Sequence, residues 1–326
     1  MKAAPTRLLM LALNQATLLL FAIVLAVFAA LSPKFFTGDN LVNLLVQSSS
    51  TAIVGAGMTF VLLTAGVDLS VGAIMFISAA VAGKLLLGGI SLPLALLVIT
   101  SAGLLFGAVN AWLVTRLGLV AFIATLGTLY VGRGLGLWLT ETRAMNLPDS
   151  FLQLGTARWL GVPLPLWISA LVLALAHLTL TRTPFGRQVY ATGHSLEAAR
   201  KAGVNTRLIL GSVYVLCGFC AALGGILSLA QLGSVSPTFG NNREFTAIAA
   251  AVLGGTSLFG GRGAIFPGTV LGAVLMQSVE NGLVILNADP YLYPLISSGI
   301  IFLAVLIDSL RTRWLAHLGG RRIYHE

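Results

Sequence analysis

The sequence contains few charged residues. Only 9% of its 326 residues are Asp, Glu, Lys or Arg, whereas 57% are hydrophobic, and an ordinary soluble domain carries about 25% charged residues. This scarcity of polar surface excludes a soluble globular domain. The longest charge-free runs, Leu8–Pro33, Asn40–Val67 and Leu208–Asn242 among them, exceed the roughly 20 apolar residues that cross a bilayer core. The composition therefore predicts an integral membrane protein.

Lysine and cysteine are also scarce, which excludes several kinds of active site. None of the four lysines is followed by Ser or Thr, so the chain has no phosphate-binding loop ending in Gly-Lys-Ser or Gly-Lys-Thr. Cys217 and Cys220 lie in one apolar run without a second pair or a His cluster nearby, and we interpret them as small side chains embedded in lipid. We expect no cofactor, no metal site and no enzyme activity.

Shorter charge-free runs, such as Leu69–Gly83 and Gly263–Val279, bring the expected number of membrane helices to about ten. We predict an all-α, polytopic transmembrane bundle formed by residues 1–326 as a single domain. The first run is longer than the roughly 7–15 apolar residues of a signal peptide, so we interpret it as a retained anchor. Close packing of helices is predicted where two glycines share one helix face: at Gly103 and Gly107, Gly132 and Gly136, and Gly268 and Gly272.

The distribution of charge predicts the orientation. If ten helices alternate from a cytoplasmic N-terminus, thirteen of the nineteen basic residues lie inside and five lie outside, where five acids including Glu244 balance them. Arg133 then lies within a span. An excess of Lys and Arg in short loops marks the cytoplasmic face, so both termini are predicted to be cytoplasmic. The basic residues are dispersed along the membrane rim, which argues against nucleic acid as a partner.

Two glycine-bounded breaks interrupt the apolar runs, at Gly66–Gly72 and Gly254–Gly263. Each follows a Thr-Ala-Ile tripeptide, at residues 51–53 and 246–248, and the similarity suggests an internal repeat like those of transporters with broken helices. Chance matching of common residues explains it equally well. Asp68 in the first break is either functional at membrane depth or, with Ser70, a cap of the next helix. The residues alone favour the cap.

The longest inner loop, residues 183–207, contains a short polar helix. Ser195 is suited to cap this helix, Glu197 lies in its first turn, and Gly203 is suited to end it. Small residues at Ala198 and Ala199 allow close approach of another backbone. Such an element either docks on a cytoplasmic partner or is a solvated connector, and the spacing alone does not separate the two.

Together these segments resemble the membrane permease subunits of bacterial ABC sugar importers, the branch that contains ribose, galactofuranose and xylose transporters. The resemblance covers residues 40–310. It rests on six segments in family order: Ala56–Val61, Gly66–Gly72, Ala121–Thr128, Phe185–Val204, Ala251–Ser257 and Gly260–Gly263. The chain departs from the family at Val67, often Ile, and at Val120, often Pro, and neither departure affects the assignment.

The resemblance implies a permease that forms the path of a sugar across the bacterial inner membrane. It implies a second permease subunit, identical or different, a cytoplasmic ABC ATPase and a periplasmic sugar-binding protein as partners. By similarity, the helix that couples to the ATPase contains Glu197, Ala198, Ala199, Arg200 and Gly203. The expected pathway and helix-break residues are Gly66, Asp68, Ser70, Gly72, Gly255, Ser257 and Gly261.

The alternative is a secondary, ion-coupled transporter of a small polar solute. Ion-coupled carriers usually bury several ionisable groups within their spans, and this sequence offers mainly Arg133 and Glu280. That scarcity disfavours the alternative. Uncharged polar residues in the predicted spans, Asn110, Gln277 and Asn281, either line a path for hydroxyl groups or bond to neighbouring helices.

Overall fold

The structure is a computed structural model that describes residues 16–303 and 306. Thirteen α-helices occupy most of this part, together with four two-residue strands in the loops. In chain order the helices are α1 (Ala16–Leu31), α2 (Gly38–Leu63), α3 (Val71–Leu87), α4 (Leu92–Thr115), α5 (Ala121–Thr140), α6 (Asp149–Thr156), α7 (Leu164–Arg182), α8 (Pro184–His194), α9 (Leu196–Lys201), α10 (Thr206–Leu232), α11 (Arg243–Leu253), α12 (Val270–Ile285) and α13 (Leu292–Leu303). The strands are β1 (Met145–Asn146), β2 (Arg158–Trp159), β3 (Val162–Pro163) and β4 (Ser234–Val235), and a π-helical turn at Ile265–Thr269 leads into α12.

Six helical segments are long and apolar enough to cross a membrane within the described residues: α2, α4, α5, α7, α10 and Ile265–Ile285. Three further apolar helices, α1, α3 and α13, are described with fewer than 18 residues. The prediction of an all-α membrane bundle is confirmed. The figure of about ten spans and the internal repeat remain predictions, since neither follows from these lengths.

The two longest helices, α2 and α10, form the centre of the bundle and are mostly buried. They approach closely at Gly57, where a methyl group would lie 2.7 Å from the Cβ of Cys220 and 3.0 Å from the Cα of Cys217. Both cysteines are free and buried. They therefore pack inside the protein, between helices, rather than in lipid.

The three glycine pairs pack as predicted. A methyl group on Gly103 or Gly107 of α4 would lie 2.5–2.6 Å from a carbonyl oxygen of α10. On Gly132 or Gly136 of α5 it would press on α3, and on Gly268 or Gly272 it would overlap the backbone of α11 or its C-cap. Close helix packing at these positions is confirmed.

Hydrogen bonds between polar side chains join α2 to α12 along their length. Because the two helices run antiparallel, the partners pair in reverse order: Asn40 with Asn281 (2.9 and 3.0 Å), Gln47 with Gln277 (2.8 Å) and Thr59 with Thr269 (2.7 Å). Such bonds hold helices together where no water competes for them. For Asn281 the interpretation as a bond between helices is therefore correct.

The loops gather at two ends of the bundle. At one end β1 pairs with β4, and Lys84 Nζ lies 3.9 Å from Glu141 Oε1. At the other end, the C-terminal end of α2 meets α8 and the loop at 254–263. We call these the outer and inner ends, after the predicted orientation. Six of the thirteen predicted inner basic residues, and both termini, lie outside the described residues: Lys2, Arg7, Arg311, Arg313, Arg321 and Arg322.

Candidate functional site

The predicted short helix of the inner loop is present as α9, and its ends are capped. The Oγ of Ser195 accepts a hydrogen bond from the Ala198 backbone N–H at 3.2 Å. Gly203 has φ +83°, which favours glycine, and the next residue, Val204, donates its N–H to the Ala199 carbonyl at 3.0 Å. The preceding helix, α8, is capped by Thr183, whose Oγ1 accepts from the Gly186 N–H at 3.2 Å. These caps fix α8 and α9 as a defined helical pair.

One face of α9 is free and the other is covered by the chain itself. Glu197 and Lys201 form an exposed ion pair of 2.7 Å, and Ala198 and Arg200 are also exposed. Ala199 is only 4% exposed. The expectation that both alanines allow a partner to approach therefore needs a correction at Ala199, which contacts its own chain. Ala198 is the small residue on the exposed face.

The C-terminal end of α2, α8 and the second break meet at the inner end, in a contact that we call the inner junction (Leu63, Tyr190, Gly193, Gly261 and Gly263). The Gly261 N–H donates to the Leu63 carbonyl at 2.9 Å, and the Tyr190 hydroxyl donates to the Gly263 carbonyl at 2.7 Å. A methyl group on Gly193 would overlap the Leu63 carbonyl oxygen. α8 is therefore in direct contact with both the end of α2 and the second break.

The first break folds around a buried carboxylate. Asp68 Oδ1 accepts from the Ser70 N–H at 2.9 Å and from the Ser70 hydroxyl at 2.6 Å, and both residues are fully buried. Asn110 of α4 donates to the Ser70 Oγ at 2.8 Å and accepts from the Thr128 hydroxyl of α5 at 2.7 Å. This network ties the start of α3 to α4 and α5. It also shows that Asn110 bonds to neighbouring helices.

Glycine is required on both sides of Asp68 because other groups come close. A methyl group on Gly66 would lie 2.6 Å from the Tyr214 hydroxyl oxygen of α10. On Gly72 it would overlap the Gly240 carbonyl oxygen and lie 2.6 Å from the Glu244 Oε2. Since Gly240 belongs to the loop that enters from the outer end, the first break and this outer loop touch inside the bundle.

Glu244, which the charge balance counted among the acids of the outer side, is buried in the structure. It is 7% exposed, in the first turn of α11, and it lies against Gly72. The nearby Arg133 donates from Nη1 to the Phe239 carbonyl at 2.6 Å and lies 5.1 Å from the Phe76 ring centre. The loop around Gly240 draws the first turn of α11 into the bundle, a contact that local sequence does not reveal.

The second break is a loop that is held by hydrogen bonds among its own residues. Gly255 has φ +89° and Gly261 φ +69°, a region that favours glycine. The Ser257 N–H donates to the Arg262 carbonyl at 2.8 Å, and its Oγ accepts from the Phe259 N–H at 3.1 Å. Of the expected pathway residues here, Gly261 lies in the inner junction, whereas Gly255 and Ser257 shape the loop.

The chain matches the family model described as branched-chain amino acid transport system / permease component, over residues 40–307. It is 39% identical to the ribose import permease protein of Escherichia coli strain K12 over 302 residues, 91% of this chain and 94% of that protein. It is 38% identical to the D-allose transport system permease protein of the same strain, over 90% of this chain and 91% of that protein. The autoinducer 2 import system permease protein of Photorhabdus luminescens is 37% identical, over 86% and 84%. No solved structure matches the chain.

Proposed function

The chain belongs to the family of permease components of branched-chain amino acid transport systems, and from this premise we propose that it is the membrane subunit of an ATP-driven sugar importer. It is a transport subunit and not an enzyme. Two of the relatives are named for a sugar, ribose and D-allose. These names favour a sugar over the amino acids in the family description, in agreement with the resemblance of the sequence.

The observation that carries the proposal is the position of α9. Its exposed polar face, with Glu197, Ala198 and Arg200, stands at the inner end beside the inner junction. An importer must transmit motion from a soluble ATPase into its membrane helices. A capped helix that is exposed on one face, and is joined through α8 to the end of α2 and to the second break, suits that task, so we assign docking of the ATPase to residues 195–203.

The remaining partners and the path follow from the same proposal. A second permease subunit, identical or different, completes the path, and a periplasmic binding protein delivers the sugar at the outer end. We place the moving part of the path at the two breaks. The contact of Gly72 with Gly240 supports this, because it joins a break that starts at the inner end to a loop from the outer end.

We further propose ten membrane elements with both termini in the cytoplasm of a bacterial cell. Besides the six long helices, α1 is the first described element, and α3, α11 and α13 each follow a loop in the order that alternation requires. The short lengths of α3 and α11 suit broken helices, whose missing turns are replaced by irregular backbone buried inside the protein. The ion-coupled alternative is disfavoured by the family and by the relatives, which are import permeases.

Two adjacent alanines test the docking of the ATPase. In Ala198→Trp the bulk lies on the exposed face of α9, so we expect normal insertion and thermal stability. Binding of the ATPase should be roughly 5- to 150-fold weaker, as overpacking costs about 1–3 kcal/mol. In Ala199→Trp the bulk lies within the chain, so we expect a loss of stability instead. Stability is followed by fluorescence-detected size exclusion after heating, and binding by co-purification.

Ala157→Trp is the matched control, since Ala157 is an exposed alanine at the outer end, next to α6. It is expected to change neither stability nor ATPase binding. Wild-type affinity for the ATPase in a stable Ala198→Trp variant would show that α9 is only a connector.

A further inference from the structure

A polar cavity lies between four helices at the outer half of the bundle. Its volume is about 310 Å³, and pockets for small molecules begin at about 300 Å³. It is lined by polar side chains from α2, α10, α11 and α12, mainly Gln47, Ser228, Gln231, Arg243, Gln277 and Glu280. We call it the outer cavity. A groove between α4 and α5, of about 450 Å³, is lined almost wholly by apolar residues and has a different character.

The outer cavity lies on the predicted periplasmic side. Gln231 is one residue from the end of α10, Arg243 begins α11, and Glu280 is in the last two turns of α12. The end of α10 and the start of α11 flank the loop that contains β4, which pairs with β1. The end of α12 leads into the loop before α13. In the predicted orientation the outer cavity therefore lies nearer the periplasm than the inner junction does.

Several lining groups have hydrogen-bonding capacity that the protein does not use. Gln277 donates to Gln47 at 2.8 Å, and Gln231 donates to the Val46 carbonyl at 3.2 Å, so these side chains are held in place. In contrast, the side chains of Ser228, Arg243 and Glu280 make no hydrogen bond or ion pair within residues 18–303. The glutamine side chains are thus held by hydrogen bonds, whereas the polar groups of Ser228, Arg243 and Glu280 are available to a ligand.

The chemistry of these groups matches a neutral solute rich in hydroxyls. A hydroxyl both donates and accepts, so the Glu280 carboxylate accepts from it, the Arg243 guanidinium donates to it, and serine and glutamine do either. One positive and one negative side chain give the cavity no net charge, so it does not favour a solute that carries a net charge. A branched amino acid side chain needs an apolar wall, and Leu232 is the only apolar residue among those that line the cavity.

We propose that the outer cavity is a binding station for a neutral sugar within the permease itself. This inference rests on the proposed function, because it names a stop on the path of the solute that the importer carries. Arg243, Ser228 and Glu280 bind the hydroxyls, and Gln47 with Gln277 closes one wall.

Protection of a cysteine at the mouth of the cavity tests the proposal. Leu232 lines the cavity, is 61% exposed and is not a polar ligand, so Leu232→Cys leaves the recognising groups intact. In right-side-out membrane vesicles this variant is treated with a charged, membrane-impermeant thiol reagent. Labelling rates are measured with D-ribose, D-allose, D-xylose, D-galactose or L-leucine. The native Cys217 and Cys220 are buried and give little background.

We expect at least one of the sugars to slow the labelling of Leu232→Cys several-fold, and leucine to have no effect. Addition of Glu280→Gln is expected to raise the sugar concentration that protects by roughly tenfold, as loss of a hydrogen bond to a charged group predicts. Leu160→Cys, 77% exposed at the outer end and not part of the cavity, is the control. It should label at the same rate with or without sugar.

Three results would overturn the proposal: no protection by any sugar of the panel, protection by leucine alone, or no labelling of Leu232→Cys from outside. Protection needs neither ATP nor the ATPase, so it is independent of the importer function. Protection together with uptake that does not require ATP would retain the cavity and refute the importer. ATP-driven uptake without protection would retain the importer and refute the cavity as a sugar site.

Discussion

Asp68 organises the first break through the hydrogen bonds of its buried carboxylate. The residues alone favoured a cap of the next helix, but neither side chain caps the first-turn N–H groups of α3. The Asp68 carboxylate instead accepts from the N–H and the hydroxyl of Ser70, at 2.9 and 2.6 Å, in the turn before α3. It also organises Asn110 and Thr128 through Ser70. The sequence could not supply these two partners, which lie about 40 and 60 residues further along the chain and meet Asp68 only through packing.

Replacement of Asp68 by alanine is expected to lower stability first and transport as a consequence. The change leaves the buried Ser70 N–H and hydroxyl without their acceptor, at a cost of about 1–3 kcal/mol for each unsatisfied group. Asp68→Asn keeps one acceptor oxygen and should therefore lose less stability than Asp68→Ala. The measurement is the thermal unfolding of the purified protein, with the exposed Asp149→Ala as control. A stable Asp68→Ala protein that fails only in uptake would contradict this account.

Gly72 gives a second test at the scale of one residue. A methyl group there would overlap the Gly240 carbonyl oxygen, so Gly72→Ala is expected to separate the first break from the outer loop and lower the unfolding temperature. Gly134, a helical glycine of α5 with nothing within 4 Å of an added methyl group, is the matched control. There alanine should be neutral or stabilise by about 0.5–1 kcal/mol. If Gly72→Ala and Gly134→Ala have the same unfolding temperature, the close contact between Gly72 and Gly240 is disproved.

At the scale of elements, α8 links the docking helix to the membrane part. The sequence predicted a capped helix ending at Gly203, and its caps are present. It did not predict the inner junction, because Tyr190 and Gly193 carry no local signal of a contact with Gly261 and Gly263. Periodicity and capping are local properties, whereas this junction depends on how the C-terminal end of α2 meets two distant loops.

Tyr190→Phe should weaken the coupling between ATP hydrolysis and uptake. It removes the hydrogen bond to the Gly263 carbonyl, worth about 1 kcal/mol, while the ring keeps its packing. We expect ATP hydrolysis to persist with fewer sugar molecules imported per ATP, measured in proteoliposomes that contain the complete importer. Tyr130→Phe, at an exposed position of α5, is the control. If Tyr190→Phe imports as many sugar molecules per ATP as the parent protein, the inner junction does not take part in coupling.

At the scale of the whole molecule, the composition predicted the membrane bundle, and the structure has it. The glycine pairs were predictable because small residues at four-residue spacing fall on one helix face. The burial of Glu244 and the outer cavity were not, since both depend on which helices become neighbours. From the sequence alone, Gln277 either lines a path or bonds to a neighbouring helix. In the structure it donates a hydrogen bond to Gln47 and also lines the outer cavity.

The orientation has a direct test in cysteine labelling of intact cells. Ser150 and Arg200 are both exposed, at the outer and the inner end respectively. We expect Ser150→Cys to react with an impermeant thiol reagent from outside, and Arg200→Cys to react only after permeabilisation. The parent protein, with its buried Cys217 and Cys220, is the control. Reaction of Arg200→Cys in intact cells would reverse the orientation.

The central claim is that this chain is a passive membrane subunit whose energy comes from a separate ATPase. The most direct test measures uptake of radiolabelled D-ribose and D-allose by proteoliposomes that hold the chain, its ATPase and its binding protein. We expect uptake only with ATP, and none when the phosphate-loop lysine of the ATPase is replaced. The account is contradicted if the chain alone, without the ATPase, accumulates sugar when a proton gradient is imposed.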